Sequence, residues 1–460
     1  MTNDDHAPET FDLIIVGTGS GNSIPEYLDD HRIALVERGV FGGTCINRGC
    51  IPSKMFVLPA DIAETARHAG RLGLDITVNG ADWAAIRDRV FGRIDPIADS
   101  GREYRAAGTA NVTLVSGTAR FVDTHVLDVD GRRITAPKIL LAAGSRPSIP
   151  AIDGLVETGF HTSDSIMRLE RLPERLGIIG GGYIAAEMGH VFDALGSEVT
   201  LFNRSDGLLR DQDREIAARF TELFARRVDL HLGHLPTAIS RTDDGRIAID
   251  WHADRVVVDE LLVATGREPN SDLLDVDEAG IECEHHGRVV VDDTMATNVP
   301  GIFAVGDLVN EFQLKHVANA EAKVAFWNIA HPDDLRRLDN RFVPSAVFSD
   351  PQVAAVGLTA DQADEQGVPV LVGRRDFGDT AYGWALEDES SFAKVLVHAE
   401  NDSIIGAHVI GPQAATLIQP LVQAMQFGQT ATDVARGVYY IHPALTEVIE
   451  NTLLDAIERR

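Results

Sequence analysis

One layout occurs twice in this chain. Phe11 to Val16 is a short apolar run ending in Gly17-Thr18-Gly19-Ser20-Gly21-Asn22, and a second apolar run, Ile33 to Val36, ends at Glu37. Further on, the strand-like Leu176 to Ile179 leads into Gly180-Gly181-Gly182-Tyr183-Ile184-Ala185-Ala186-Glu187, which opens a helix ending near Gly196. Val199 to Phe202 is the next strand. A strand, a glycine-rich turn, a helix and a second strand make the βαβ unit that binds a dinucleotide. The glycines permit the turn and let backbone N–H groups and the helix N-terminus approach a diphosphate. Each unit is followed by a strand with a similar end, Leu141-Ala142-Ala143-Gly144-Ser145-Arg146-Pro147 and Val263-Ala264-Thr265-Gly266-Arg267-Glu268-Pro269. Two copies predict two nucleotide-binding domains.

The copies differ at the residue that reads the ribose. Glu37, twenty residues after Gly17, can accept from a 2′-hydroxyl. The second copy holds Asn203 there, with Arg204 beside it and Arg210 beyond. A carboxylate would repel a 2′-phosphate, whereas guanidinium groups bind one, so the second site is expected to prefer NADPH over NADH. Asn22 stands where the first fingerprint's third glycine belongs, and a short helix is expected over Asn22 to Asp30.

Gly301-Ile302-Phe303-Ala304-Val305-Gly306-Asp307 is another strand ending in a Gly-Asp turn, where Asp307 could hold a polyol hydroxyl. From about Phe342, strand-like runs (Val343 to Phe348, Ala393 to Val397, Ile404 to Ile410) alternate with helical ones (Ala414 to Gln426, Thr446 to Ile457), which suggests a separate α+β domain. With 460 residues, the chain should divide into two to four domains. Its net charge of −29 argues against nucleic acid or an anionic membrane as partner, since both require a basic face.

Gly42-Gly43-Thr44-Cys45-Ile46-Asn47-Arg48-Gly49-Cys50-Ile51-Pro52-Ser53-Lys54 places two of the three cysteines with four residues between them. Met1 to Thr10 is polar and acidic without an apolar leader, and no apolar run is long enough to span a membrane, so a cytoplasmic location is expected. Structural disulfides rarely persist there, and a close cysteine pair reads as redox-active or metal-binding. A metal would need further ligands, and Cys283 with His285 and His286 lies far off in an acidic segment. The reading is a redox dithiol without metal, with two ordinary buried cysteines as the alternative. Lys54 is one of only five lysines, with Lys138, Lys315, Lys323 and Lys394.

With both fingerprints, the dithiol and the Gly-Asp turn in this order, the chain resembles the pyridine nucleotide-disulfide oxidoreductases along essentially its whole length. The signature from Gly42 to Lys54 is highly specific to that family, and Ile441-His442-Pro443-Ala444-Leu445-Thr446-Glu447 matches its C-terminal His-Pro and glutamate. The resemblance implies an α/β protein with two Rossmann-like FAD- and NAD(P)-binding domains plus a C-terminal α+β dimerisation domain. The expected limits are 1–148 (FAD, first part), 149–270 (NADPH), 271–340 (FAD, second part) and 341–460 (dimerisation). It implies FAD and NADPH as cofactors, with Gly17, Gly19, Ser20, Glu37, Thr44, Lys54, Ala119, Gly180, Gly181, Gly182, Tyr183, Ile184, Glu187, Arg204, Arg210, Gly266 and Asp307 as cofactor-binding residues. Tyr183 would be a movable lid over the flavin, and Glu187 would pair with Lys54 near it. Cys50 would be the flavin-proximal thiolate and Cys45 the attacking thiol. His442, from the other subunit of a homodimer, would move the proton, with Glu447 orienting it.

Within the family, Gly92 to Ala98, Lys315 to Asn319, Tyr382 to Ala385 and Ile441 to Leu445 resemble the mycothione reductases. Tyr27 falls where glutathione reductases carry a substrate-binding arginine, while Lys323 keeps a cation nearby. Mycothione, an acetylated cysteine joined to an uncharged sugar–cyclitol, suits aromatic and neutral partners. The other activities compatible with these residues are those of dihydrolipoamide dehydrogenase and glutathione reductase. A redox-sensing flavoprotein with vestigial catalysis is the non-enzymatic reading.

Overall fold

Leu13-Ile14-Ile15-Val16 is apolar at every position because a parallel strand covered on both faces has no solvent side, and all four residues are buried. In the computed structural model, which describes residues 7–108 and 111–459, this strand lies at the centre of a five-stranded parallel sheet. The order is Ile302–Ala304, Lys138–Leu141, Leu13–Val16, Ile33–Glu37, Val112–Ser116. The sheet belongs to the first of two units, which comprises the chain up to Pro52, Asp88–Ser148 and Arg267–Asn340. One face packs Leu13, Ile15, Leu35, Leu140 and Phe303 against Ala325 and Phe326. The other packs Ile14, Val36 and Ile139 against Phe121, Leu127 and Ile134. Glu9–Thr10, Arg132–Thr135, Val126–Val129 and Ala119–Asp123 form a second sheet of this unit. Of the N-terminal stretch read as lacking a leader, residues 1–6 lie outside the described residues.

The second unit comprises Ser53–Arg87, Ile149–Gly266 and Arg341–Arg460. It contains the repeated layout as a four-stranded parallel sheet, Asp229–Leu232, Glu198–Asn203, Arg175–Ile179, Glu260–Val263. The helix Tyr183–Leu195 follows the glycine turn and ends at Gly196, whose left-handed backbone (φ 118°) suits a residue without Cβ. The same unit holds a five-stranded antiparallel sheet, Ser345–Val347, Val353–Gly357, Ile404–Ile410, Phe392–His398, Val370–Asp376. The helix Thr446–Glu458 packs on it through Val448, Ile449, Leu453 and Ala456. Among the described residues no helix is long and apolar enough to cross a membrane.

Two expected helices are corrected. Asn22 to Asp30 forms no α-helix but two 3₁₀ turns, Ser20–Asn22 and Glu26–Leu28. Pro25 lacks an N–H and biases the residue before it away from helix. Arg105 also takes the Asn22 carbonyl at 3.1 Å and its Oδ1 at 2.9 Å. The run Ala414 to Gln426 splits into Ala414–Leu417 and Gln419–Gln426, because Pro420 cannot donate the hydrogen bond that would join them.

Candidate active site

The two glycine turns are locked in the same way. Gly17 (φ 105°) could not carry a Cβ, which would stand 2.3 Å from the Ala142 carbonyl oxygen; at Gly180 (φ 134°) it would stand 2.1 Å from that of Ala264. Beyond them the backbone is bared. A Cβ at Gly182 or Gly266 would meet nothing within 4 Å, which leaves room for a diphosphate to approach the main chain. The close-packing glycine of the first turn is Gly21, not position 22, since its Cβ would lie 2.9 Å from both Ile15 and Ala142. Reading the fingerprint by spacing alone missed it. The residues present fit two dinucleotides.

Glu37 ends its strand with its carboxylate held by three donors: Thr18 N at 3.0 Å, Thr18 Oγ1 at 2.6 Å and Gly39 N at 2.8 Å. At the matching place Asn203 is buried, and its Nδ2 donates to the Gly207 carbonyl at 2.8 Å. Arg204 and Arg210 on the loop beyond are exposed, the latter 3.6 Å from Asp211. Ile184 is half-buried and Tyr183 exposed at the start of their helix, and Ala119 is buried in its strand. Asp307 accepts from Ser145 Oγ at 2.7 Å and lies 3.9 Å from Arg267 Nε. Behind this turn the buried Glu321 accepts from Gly306 N at 2.6 Å and from Asn310 Nδ2 at 2.7 Å. Burial raises its carboxyl above the ordinary glutamate value. Glu321 lay outside the sequence reading, because nothing local marks a buried acid that supports a turn fifteen residues away.

Thr44 and Cys45 sit on a short helix, Gly43–Asn47, and Cys50 is the first residue of the long helix Cys50–Arg67. Gly43 (φ 73°) presses this segment onto the nucleotide turn, since a Cβ there would stand 2.7 Å from Gly19 Cα. Both cysteines are thiols in the structure, and the Cys45 side chain hydrogen-bonds to Cys50. That hydrogen bond first, and burial second, push the Cys45 thiol above its ordinary range. Cys50 stands at the N-terminus of an eighteen-residue helix, where the partial positive charge of the helix end favours an anion.

One turn along that helix, Lys54 Nζ donates to both oxygens of Glu187, at 2.6 and 2.7 Å, with the Glu187 side chain only 5% exposed. Phe348 N donates to the same carboxylate at 3.0 Å, and the Lys54 ammonium lies 4.6 Å from the Phe348 ring centre. Near the C-terminus, His442 is 71% exposed, and its Nδ1–H donates to Glu447 Oε1 at 2.7 Å. The carboxylate fixes one ring nitrogen and turns the other outward. Val438, Tyr439 and Ile441 beside it are large, apolar and exposed.

The pyridine nucleotide-disulphide oxidoreductase family model matches residues 11–322, and the dimerisation domain of the same family matches residues 343–453. The chain belongs to the pyridine nucleotide-disulphide oxidoreductases. Mycothione reductase of Mycobacterium tuberculosis is 46% identical over 458 residues, covering 97% of this chain and 99% of the relative. The dihydrolipoyl dehydrogenase of Haloferax volcanii is 33% identical, covering 97% of each chain. Among solved structures, the HOCl-induced flavoprotein disulfide reductase RclA of Escherichia coli superposes with a TM-score of 0.85 at 26% identity, over 96% of this chain and 99% of that one.

This oxidoreductase is thus an enzyme of the flavoprotein disulfide class with an α/β fold and a dimerisation domain. Membership implies a flavin and a pyridine nucleotide as cofactors. Two residues of the first unit bear on the substrate question. Tyr27 packs edge-on against Trp327 and His331, with ring centres 5.8 and 5.4 Å apart. Lys323 is exposed on the helix Lys315–Ala330.

Proposed function

We propose that this chain is a cytoplasmic, homodimeric mycothione reductase that uses FAD and NADPH within the domain limits given above. The observation that carries the substrate is the 46% identity to the mycobacterial mycothione reductase over almost the whole chain. Dihydrolipoyl dehydrogenases and mercuric reductases stand at 31–33%. Tyr27 supports it as an aromatic residue at the position where the resemblance to glutathione reductases would place a substrate-binding arginine. Asn203 with Arg204 and Arg210 supports NADPH over NADH, because no carboxylate stands at that strand end to repel a 2′-phosphate.

When bound, the nicotinamide and flavin supply the two electrons that open the Cys45–Cys50 disulfide. Two electrons and one proton leave one thiol and one thiolate, the thiolate on Cys50. His442 of the partner subunit, oriented by Glu447, takes the Cys45 proton. Cys45 then attacks one sulfur of the substrate disulfide, forms a mixed disulfide and expels the first thiolate, which His442 of the partner subunit protonates. Cys50 attacks the Cys45 sulfur, re-forms the intramolecular disulfide and expels the second thiolate, which takes its proton from solvent. The Lys54–Glu187 pair holds a compensated ammonium on the dithiol's own helix.

The test is NADPH oxidation with mycothione, glutathione disulfide and lipoamide as acceptors. Mycothione is expected to show a kcat/KM at least about 10²-fold above glutathione disulfide, the scale of one or two lost polar contacts. Preference for either competitor overturns the substrate assignment, and absence of any disulfide turnover favours a redox sensor.

A further inference from the structure

We infer that Lys315 is a positioning residue of the reaction, the internal counter-ion that holds the thiolate of the reduced Cys45/Cys50 pair. The inference rests on the reading of that pair as the redox dithiol, and on no particular substrate. Lys315 opens the helix Lys315–Ala330 and is half-buried. Both circumstances disfavour a cation there. The helix N-terminus already carries partial positive charge, and desolvation weakens the hold of an amine on its proton. Burial does lower Lys315 from the ordinary lysine value. Negative charge on Cys45, Cys50 or Asp307 opposes this, and the amine's hydrogen-bond partner Ser20 adjoins Gly19, whose Cα would lie 2.7 Å from a Cβ on Gly43, two residues before Cys45.

The amine is aimed by a short relay. Lys315 Nζ donates to Ser20 Oγ at 2.9 Å, and Ser20 Oγ donates to Asn319 Oδ1 at 3.1 Å, one turn along the Lys315 helix. Ser20 is buried, so the anchor is fixed. Asp307 is shared with other donors, its carboxylate accepting from Ser145 at 2.7 Å and lying 3.9 Å from Arg267 Nε. Lys54 is already compensated by Glu187. Opening the disulfide adds one negative charge to a partly desolvated place, and Lys315 is a cation whose charge bears on Cys45.

The experiment follows the pH dependence of iodoacetamide alkylation of the NADPH-reduced holoenzyme, read at Cys45 and Cys50 by mass spectrometry. An opposite charge within a few ångströms moves a pKa by about 1–3 units, and partial exposure places this case near one unit. Lys315→Met is therefore expected to raise the alkylation midpoint by about one unit, a roughly tenfold slower reaction below both midpoints. Lys315→Gln, which keeps a donor for Ser20, should do the same, and Lys315→Arg should restore the wild-type midpoint. An unchanged midpoint in the Met and Gln variants overturns the inference, and so does an equal shift in the Arg variant, which would show a packing effect. Loss of flavin with an unchanged midpoint also overturns it, by assigning the ammonium to the cofactor. Disulfide turnover by the wild type tests the underlying reading separately.

Discussion

Replacing Arg204 and Arg210 with alanine removes both cations from the loop after the Glu198–Asn203 strand while leaving the loop itself held. Its shape is set by Asn203 Nδ2 on Gly207 O at 2.8 Å, Leu209 N on Gly181 O at 2.8 Å and Leu208 N on Thr221 Oγ1 at 2.9 Å. A charge-assisted hydrogen bond contributes about 1.5–3 kcal/mol when desolvated. The Arg210 side chain is 63% exposed, so screening leaves about 1 kcal/mol for each arginine. Together that is about 2 kcal/mol, or roughly thirtyfold in kcat/KM for NADPH. NADH has no 2′-phosphate, and its kcat/KM should stay within about twofold. Salt gives an internal check, because the screening length falls from about 10 Å at 0.1 M to about 3 Å at 1 M. Wild type should lose much of its NADPH advantage in 1 M salt, and the double variant has none to lose. Steady-state kinetics with both nucleotides at both salt concentrations measure this. Equal losses for NADPH and NADH would refute the reasoning, because the arginines would then serve the fold.

Three further predictions concern the other groups of the site. Cys45→Ser and Cys50→Ser should each abolish disulfide turnover while retaining flavin, and turnover surviving in Cys45→Ser would remove Cys45 as the attacking thiol. His442→Ala should slow disulfide reduction by about 10²–10⁴-fold; a heterodimer of Cys45→Ser and His442→Ala subunits should keep one working site, and an inactive heterodimer would place His442 in its own subunit's site. Burial lifts Glu321 above its ordinary value of 4.5, so the folded chain holds that proton more tightly than the unfolded chain. Its favourable contribution is complete below pH 4.5 and declines as pH rises through the raised value. The wild-type minus Glu321→Gln difference in unfolding free energy should fall over that range, and a pH-independent difference would contradict it.

The glycine turns, the strands they follow and the closeness of the two cysteines were legible because each is a local pattern. Gly17 and Gly180 announce a backbone that tolerates no Cβ, and the Leu13–Val16 run announces burial on both faces. The missing first helix was not legible. Pro25 was a local warning, but Arg105 takes the Asn22 carbonyl from eighty-three residues away. Gly21 was obscured by the expectation that the third glycine belongs at position 22. Glu321 and Lys315 owe their roles to packing: one is a buried acid under a turn, the other an amine aimed at Ser20 across 295 residues of sequence. Spacing carries no information about such contacts, whereas His442 and Glu447, five residues apart, form theirs locally.

The steric lock at Gly17 against Ala142 and at Gly180 against Ala264 separates holding from reading. In each half the proposed grip on a diphosphate falls to the main chain, while one side chain at the neighbouring strand end, Glu37 or Asn203, is the proposed reader of the ribose. On that reading, either half can change its nucleotide through a few substitutions at a strand end and its following loop, without disturbing the steric lock that holds the turn.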